Sequence, residues 1–211
     1  MPGEQTLVEL DTGLQRRLIK TVAERVIQHT DELVALDQAI GDGDHGLNMK
    51  RGFEAVLADL DKFSALPLGE SLKGVGMALV MKVGGASGPL YGSLFMALGK
   101  SLPAQADRAG LAKAFAAAVD AVKARGKSDV GQKTMIDVLV PVLSVLQDTA
   151  GDLPARLCST AQRAASATVP VRAQRGRASF LGERSIGHMD PGARSASLMV
   201  CAVVDVMEGK A

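Results

Sequence analysis

Residues 37–48 of the 211-residue chain read Asp37-Gln38-Ala39-Ile40-Gly41-Asp42-Gly43-Asp44-His45-Gly46-Leu47-Asn48. Three carboxylates, an imidazole and an amide lie among glycines, which let the backbone turn tightly and approach a ligand closely. Carboxylate oxygens are hard donors that suit Mg²⁺, Mn²⁺ or Ca²⁺. Acids this close repel one another unless a cation or protons neutralise them. We therefore interpret the stretch as a divalent-metal loop around which the rest of the chain is organised.

The same stretch matches two other binding motifs only in part. Residues 41–46 fit the dinucleotide-binding pattern G-x-G-x-x-G, but no strand precedes them and their two acids would repel a phosphate. An EF-hand counted from Asp42 would place Gly46 and Phe53 where that loop needs an oxygen donor and a glutamate. A plain polar turn is the third alternative, because Asp and Gly are common turn residues, but it leaves the imidazole and the amide unexplained.

Composition favours closely packed helices and gives no sign of nucleic-acid binding. Hydrophobic residues make up 47% of the chain but aromatics only 3%, with no Trp. Ala, Leu, Val and Met therefore supply the apolar surface, which suits helices more than sheets. A net charge of +1 provides no basic field to attract nucleic acid. The length allows a sizeable core, and we expect one domain over residues 1–211.

The cysteines and the hydropathy pattern bear on the compartment. Cys158 and Cys201 lie in helical patterns without metal-ligand spacing. The sequence predicts that they are buried, small apolar residues of a reducing compartment. No apolar run approaches the ~18 residues of a membrane span, and the N-terminus does not resemble a signal peptide. We therefore expect a soluble, cytoplasmic protein with no membrane partner.

Apolar residues recur at three- and four-residue steps along most of the chain, which is typical of amphipathic helices. The first helix carries them from Leu7 to Val26, and Asp31 is expected to cap a short second helix. A last helix is predicted to open at Asp190, the N-cap, with Pro191 in its first turn. The helices predicted between these cover about 47–60, 70–83, 90–101, 107–125, a segment ending near 147, and 153–169.

Neither a convincing alternating strand nor an internal repeat accompanies these helices. We therefore expect an all-α fold of about eight helices packed as an antiparallel bundle. In such a bundle the polar, glycine-rich connections can gather at one end, which would make that end the functional site.

Residues 84–89 read Gly-Gly-Ala-Ser-Gly-Pro and precede a helix predicted to begin at Pro89. Backbone N–H groups at a helix start, beside small residues and the Ser87 hydroxyl, form a candidate anion site. A plain turn between helices is the alternative. Residues 121–128 approach the P-loop pattern, but Ala121 replaces its first glycine and no strand precedes it, so we discount that interpretation.

Residues 170–191 form a long connection with four arginines and three glycines. A loop of this length inside a compact domain is usually functional or disordered. Phe180, Leu181 and Ile186 can anchor it, so we predict an ordered lid. The alternative is a solvated basic loop.

Four motifs closely resemble the nucleotide-binding L subunit of bacterial dihydroxyacetone kinase, in the same order and over nearly the whole chain. They are residues 37–49, 84–89, Lys133-Thr134-Met135 and 176–193. The resemblance implies an eight-helix antiparallel up-down barrel with ADP or ATP at one end. One departure is Gln132, where a relative in that family has an acidic residue before Lys-Thr-Met, and it leaves open how this turn is capped.

The resemblance also implies the roles of site residues. Asp37, Asp42 and Asp44 would hold two Mg²⁺ ions that bridge the phosphates. Arg177 is the candidate phosphate stabiliser, and no other catalytic residue is assigned in this chain. The nucleotide-binding residues implied are His45, Gly46, Leu47, Asn48, Ala86, Ser87, Gly126, Met135, Arg177, Asp190, Pro191 and Gly192.

The activity implied is phosphoryl transfer from Mg-bound nucleotide to dihydroxyacetone held on a partner subunit. Such transfer needs positioned phosphates and neutralised charge more than a protein nucleophile. Because the sequence contains neither a substrate domain nor a linker, we expect a phosphotransferase-system protein to rephosphorylate ADP in place. A fused enzyme that consumes free ATP is the less favoured context.

Two other functions stay open. One is a nucleotide-dependent regulatory module that binds a partner protein, such as a transcription factor, without turnover. The other is a kinase subunit for a different acceptor, such as another ketose or a fatty acid. The oligomeric state is also open, with a homodimer among the alternatives.

Overall fold

The computed structural model describes residues 11–103, 105 and 107–211, and these residues contain helices and no strand. The predicted all-α class is confirmed, while Leu7 and Leu10 of the predicted first helix lie outside the described residues. A 3₁₀ segment, Arg177–Ser185, lies in the long connection before the last helix. The α-helices are α1 (Thr12–Gln28), α2 (Thr30–Ile40), α3 (His45–Ala58), α4 (Leu60–Ser64), α5 (Leu68–Lys82), α6 (Ser87–Ser101), α7 (Arg108–Gly126), α8 (Ile136–Gln147), α9 (Leu153–Ala167) and α10 (Pro191–Met207).

Eight of these helices close into a ring. Helix α1 packs against α3, α3 against α5, and each following helix against the next until α10 returns to α1. The two remaining helices are the shortest, with 11 residues in α2 and 5 in α4. This order is consistent with the predicted eight-helix barrel. Every ring helix contributes to one buried apolar cluster, for example through Val22, Phe53, Leu79, Leu94, Val119, Leu139, Ala161 and Leu198.

The polar connections lie at one end of this ring. Residues 41–44, 83–86, 127–135 and 168–190 join alternate pairs of neighbouring helices. Residues from all four connections line one cleft. Because alternate connections meet at the same end, neighbouring ring helices run in opposite directions, as an up-down arrangement requires.

Aspartates cap three of the helices through their side chains. Asp11 accepts a hydrogen bond from Leu14 N at 2.6 Å, and Asp107 accepts one from Gly110 N at 2.7 Å. Asp190 accepts one from Ala193 N at 2.7 Å, as predicted for the start of α10. These bonds satisfy backbone N–H groups that have no partner within their own helix.

Two predicted helix starts are wrong by two residues each. Asp31 does not cap α2, because the helix already begins at Thr30 with His29 at the cap position. The Asp31 carboxylate instead lies in the first turn, where its negative charge interacts favourably with the positive end of the helix dipole. Helix α6 begins at Ser87 and not at Pro89. Proline is still tolerated there, because the first turn does not use its missing N–H.

The prediction for the two cysteines is also corrected by the structure. Cys158 of α9 and Cys201 of α10 form a disulfide, with their Cα atoms 4.6 Å apart. The two residues are 43 positions apart in sequence, so their pairing depends on how α9 and α10 pack together. A disulfide is unusual in a reducing compartment, and the cysteines therefore no longer support that expectation. Among the described residues, no helix combines the length and apolar character needed to cross a membrane.

A buried ammonium ties the long connection to the turn before α8. Lys133 is 1% exposed, and its Nζ lies 2.8 Å from Ser185 O, 2.9 Å from Thr168 O and 3.0 Å from Val171 O. The carbonyl oxygens of Val169 and His188 also accept hydrogen bonds from Nζ. We call these five carbonyls the Lys133 shell.

This shell explains why a lysine occupies an unusual backbone position. The φ angle of Lys133 is 62°, in the left-handed region that side chains other than glycine seldom adopt. Burial lowers the pKa of Lys133, and nearby Asp190 opposes that shift. The carbonyl dipoles also favour the charged ammonium, so the side chain serves as a fixed internal cation for the segment 168–188.

We predict that Lys133→Met destabilises the protein and loosens this segment. The substitution leaves several buried carbonyls without a donor, at about 1–3 kcal/mol for each that water does not reach. Urea unfolding should therefore show a lower midpoint than in the control Lys113→Met, which removes an exposed lysine of α7. Equal midpoints for the two variants would contradict a structural role for the Lys133 ammonium.

Candidate functional site

The connections at one end of the ring surround an open cleft of roughly 640 Å³. Its walls come from the α2–α3, α5–α6 and α7–α8 connections and from residues 175–178 and 190–192. The cleft therefore brings together all four sequence motifs, which are far apart along the chain. Its lining includes the following predicted site residues: Asp37, Asp42, Asp44, His45, Ala86, Ser87, Gly126, Met135, Arg177, Asp190, Pro191 and Gly192.

Three carboxylates meet on one side of the cleft. One oxygen each of Asp37, Asp42 and Asp44 lies within 4.8 Å of the others. Asp37 is buried at 8% exposure, whereas Asp42 and Asp44 are exposed to the cleft. Asp37 Oδ2 accepts hydrogen bonds from Asp44 N at 2.8 Å and from His45 N at 3.1 Å. These bonds hold the Asp37 carboxylate in place and offset part of the like-charge repulsion.

Two glycines make this loop geometry accessible. A Cβ atom on Gly41 would lie 2.2 Å from Asp37 Oδ1, so any larger residue would displace the carboxylate. Gly43 has a φ angle of +75°, which side chains disfavour. The glycines between the acids therefore allow the three carboxylates to lie close together.

The donor set fits a divalent cation. Three carboxylates within 4.8 Å of one another offer hard oxygen ligands, which Mg²⁺ and Ca²⁺ prefer. In the structure, a guanidinium supplies positive charge at this place, because Arg177 Nε lies 2.9 Å from Asp42 Oδ2. The Arg177 side chain is largely exposed, so the ion pair is weak and can be exchanged for other partners.

Three helices begin at the cleft. His45 opens α3, Ser87 opens α6 and Pro191 opens α10, and all three residues line the cleft. A helix N-terminus presents unpaired N–H groups and about half a positive charge. The cleft thus joins an acidic cluster, suited to a cation, with three helix starts, suited to an anion.

The imidazole of His45 lies between these helix starts. His45 Nδ1 is 3.0 Å from Ser87 Oγ, and His45 Nε2 is 3.0 Å from Ser195 Oγ. Burial lowers the pKa of His45, although the carboxylates of Asp37 and Asp44 act in the opposite direction. The side chain therefore connects α3 with α6 and α10 and favours the neutral form.

Two other ionisable groups near the helix starts have shifted pKa values. Burial raises the pKa of Asp190 to about 7, although its bond from Ala193 N opposes the shift. Burial also raises the pKa of Tyr91, so its hydroxyl remains neutral. Asp190 consequently carries less than a full negative charge near pH 7, which lowers its repulsion of an anion in the cleft.

Part of the cleft lining is apolar, and we call this part the slot. Its surface comes from Pro89 and Leu90 of α6, Val122 and Gly126 of α7, and Met135 before α8. A Cβ atom on Gly126 would lie 3.2 Å from Leu90 Cδ2. An apolar surface of this kind suits a flat aromatic group, and the missing side chain at Gly126 leaves room beside Leu90.

Three residues of the predicted nucleotide set do not line the cleft. Leu47 is 58% exposed on the surface of α3. Gly46 lies against α2, where a Cβ atom would be 2.3 Å from Thr30 O. Asn48 is buried beneath the turn before α6, and its Oδ1 accepts a hydrogen bond from Arg51 Nη2 at 2.6 Å. Gly46 and Asn48 therefore support the walls of the cleft in this structure.

The turn at Gln132 is capped by other residues. Asp137 accepts hydrogen bonds from Thr134 N at 2.7 Å and from Gly131 N at 2.5 Å. The Gln132 side chain accepts bonds from Asp129 N and Arg175 Nε, both at 3.1 Å. The open question about this turn is therefore answered by a carboxylate five residues later in the chain.

Some cleft residues were not predicted as site residues. Tyr91, Val122 and Arg125 lie inside helices that the sequence identified, and Ile40 lies at the end of α2. Helical spacing could have identified two of them, because Val122 lies one turn before Gly126 and Arg125 lies next to it. Tyr91 follows the predicted anion site by only a few residues.

Comparison with known proteins agrees with this arrangement. The DAK2 domain model matches residues 39–205, so Asp37 lies just before the matched range. The chain is 42% identical over 191 residues to the PEP-dependent dihydroxyacetone kinase 1, ADP-binding subunit DhaL, of Listeria innocua, covering 89% of this chain and 93% of that protein. It is 43% identical over 179 residues to the corresponding ADP-binding subunit of Escherichia coli, covering 81% and 85% of the two chains.

The fold has a relative among solved structures. The dihydroxyacetone kinase of C. freundii in its native form superposes with a TM-score of 0.75 and 25% sequence identity. The similarity covers 95% of this chain and 36% of that kinase, so the whole ring corresponds to one part of a longer protein. From the matched domain model and the two subunits of nearly equal length, we conclude that this chain belongs to the DAK2 domain family.

Proposed function

We propose that this chain is the ADP- or ATP-carrying subunit of a dihydroxyacetone kinase and that residues 1–211 form its single nucleotide-binding domain. The observation that carries the proposal is the position of the Asp37, Asp42 and Asp44 cluster beside three helix starts in one cleft. The acidic cluster suits a cation and the helix starts suit an anion, and Mg-nucleotide phosphates combine the two. The high identity to two subunits named for ADP binding supports this choice.

In this proposal the acidic cluster holds two Mg²⁺ ions through Asp37, Asp42 and Asp44. Bound magnesium would neutralise charge on the phosphoryl group during transfer. The chain itself contributes backbone N–H groups at the starts of α3, α6 and α10. The first residues of these helices line the cleft, so N–H groups there that do not bond Asp37 or Asp190 could stabilise phosphate charge.

The remaining surfaces would hold the base and close the site. The slot around Gly126 and Met135 is suited to the adenine ring, with Pro191 and Gly192 on the far wall. Arg177 pairs with Asp42 in the structure. When a cation takes over Asp42, we expect the Arg177 guanidinium to turn to the phosphates, where it would act as the phosphate stabiliser.

The phosphoryl acceptor is proposed to arrive on another protein. Metals, phosphates and base account for the lining of the cleft, and its mouth is open. A dihydroxyacetone-binding subunit would dock at this mouth, and a phosphotransferase-system protein would use the same face to rephosphorylate ADP. The identity of the acceptor would then depend on the partner, so another ketose is compatible with the same chain. We propose a cytoplasmic location on the basis of this partnership.

We predict that Asp42→Asn weakens binding of Mg·ADP by roughly ten-fold or more, as losses around metal sites commonly do. The variant removes one negative donor while leaving the shape of the loop unchanged. Isothermal calorimetry with Mg·ADP measures the effect, and Asp120→Asn on the exposed face of α7 is the control.

Chelation sharpens this test. With EDTA and ADP, the wild-type chain and the Asp42→Asn variant should bind equally weakly, because both have lost the cation. Unchanged Mg·ADP affinity in the variant would show that Asp42 is not a metal ligand.

We also predict that Mg·ADP protects part of the lid from hydrogen exchange. Protection should increase around Arg177, because its ion pair with Asp42 is exposed. Protection should change little at 168–173, because hydrogen bonds from Lys133 already hold these residues. Arg177→Gln should remove the added protection, whereas Arg184→Gln, on the same segment, should retain it. Equal exchange with and without nucleotide would indicate a surface loop that does not take part in binding.

Finally, we predict that the chain alone phosphorylates nothing. Purified protein with Mg·ATP and dihydroxyacetone should form no dihydroxyacetone phosphate until a dihydroxyacetone-binding subunit is added. Parallel assays with other ketoses and that subunit would test the choice of acceptor. Robust product formation by this chain alone would refute the proposed division between subunits.

A further inference from the structure

An arginine of α3 holds the turn between α5 and α6 without lining the cleft itself. Arg51 Nε donates to the carbonyl oxygen of Lys82, the last residue of α5, at 2.8 Å. Arg51 Nη2 donates to Asn48 Oδ1 at 2.6 Å. Asn48 is buried in the first turn of α3. One planar guanidinium therefore joins the end of α5 to a buried side chain near the start of α3.

Two glycines allow the turn to approach α3 this closely. A Cβ atom on Gly84 would lie 2.6 Å from Asn48 Oδ1 and 2.8 Å from Arg51 Nη2. Side chains do not approach polar atoms at such distances, so Gly84 is required where the backbone passes over this pair. Gly52 leaves room for the neighbouring residue of the turn, because a Cβ atom on it would lie 2.1 Å from Val83 Cγ2. The turn thus rests on one short stretch of α3.

Each of the two hydrogen bonds has a specific effect. A carbonyl at the end of a helix lacks a donor within its own helix, and a cation there also interacts favourably with the helix dipole. A guanidinium can only donate, so the amide atom of Asn48 that faces Arg51 is the oxygen. The amide nitrogen then lies on the side of Gly85, 3.8 Å from the position of a Cβ atom on that residue. Arg51 therefore fixes both the end of α5 and the orientation of the Asn48 amide.

This contact connects two parts of the cleft. Helix α3 follows the acidic loop 41–44, and α6 follows the turn 83–86. Residues of both connections line the cleft. The position of the turn on α3 therefore sets how far the start of α6 lies from the acidic loop.

We propose that Arg51 is a positioning residue that holds the turn 83–86 against α3 and acts on the cleft through Asn48. It keeps the start of α6 at a fixed separation from the acidic loop without contacting a ligand. The consequence for nucleotide affinity rests on the proposed function, whereas the placement of the turn does not.

Hydrogen exchange in the nucleotide-free protein tests the placement of the turn. Arg51→Met keeps an unbranched side chain and removes both donors. Backbone amides of residues 80–87 should exchange about five-fold faster in this variant, and those of α7 should not change. Lys50→Met is the control, because it removes an exposed cation of the same helix that pairs with Glu54 on the surface. Wild-type exchange at 80–87 in Arg51→Met would overturn the proposal.

Calorimetry with Mg·ADP tests the link to the cleft. Arg51→Met should weaken binding about ten-fold, the loss expected for charge-assisted hydrogen bonds, and Lys50→Met should bind as the wild type does. Arg51→Lys keeps the charge but loses the planar fork, so it should recover only part of the affinity. It is also the second variant if Arg51→Met does not fold, and it should likewise speed exchange at 80–87. Wild-type affinity in folded Arg51→Met, or full recovery by lysine, would overturn the proposal.

An Asn48→Ala background distinguishes positioning from an independent effect of charge. Because Arg51 and Asn48 belong to one network, their losses should not add, and Arg51→Met should cost at most about three-fold in this background. A full ten-fold loss there would show that Arg51 does not act through Asn48 and would overturn the proposal. If the wild-type protein binds no Mg·ADP, the proposed function fails, while hydrogen exchange at 80–87 still tests Arg51.

Discussion

Like-charge repulsion within the Asp37, Asp42 and Asp44 cluster is the constraint on which this end of the molecule depends. Three carboxylates within 4.8 Å of one another are unfavourable without compensation. The structure supplies part of this compensation. The backbone N–H groups of Asp44 and His45 donate to the Asp37 carboxylate, and the Arg177 guanidinium pairs with Asp42. In the proposed function a divalent cation would neutralise the remaining charge, and relief of the repulsion would add to the affinity for metal.

The same end of the ring uses a second charge in a different way. The Lys133 ammonium is buried among backbone carbonyls of the segment 168–188, so it contributes order and does not face a ligand. The start of α10 lines the same cleft as the acidic loop 41–44. The lid is consequently anchored at its base, while Arg177 near its tip remains exposed and able to change partners.

Much of the fold and the core of the site could be predicted because their signals are local. Helix periodicity identifies the helices within a few residues, and the Asp37, Asp42 and Asp44 carboxylates lie within eight consecutive positions. The disulfide between Cys158 and Cys201 was missed because it depends on the packing of two helices, which periodicity does not report.

Other features required the three-dimensional arrangement for a similar reason. Asn48 belongs to a motif whose resemblance implies contact with nucleotide. In the structure, however, Asn48 is buried beneath the turn before α6, and its side chain accepts a hydrogen bond from Arg51. Ser195 shows no sequence signal at all, because its partners Tyr91 and His45 come from two other helices. Residues that are close together in the sequence can thus be recognised as a candidate site. The residues that hold them in place come from distant parts of the chain and are identified only by tertiary contacts.

In the proposed function, the way this cleft stabilises charge would not depend on the direction of phosphoryl transfer. Backbone N–H groups at the helix starts and the Arg177 guanidinium would contact phosphate oxygens, which carry the charge whichever neighbouring group is the donor. Groups that stabilise the charge on these oxygens can assist both transfer out of the cleft and transfer into it, because the phosphoryl group is common to the two reactions. In the proposed function, one set of residues can therefore serve both a donor protein and an acceptor subunit. The two partners would then have to use the open mouth in turn, which favours brief contacts over a permanent complex.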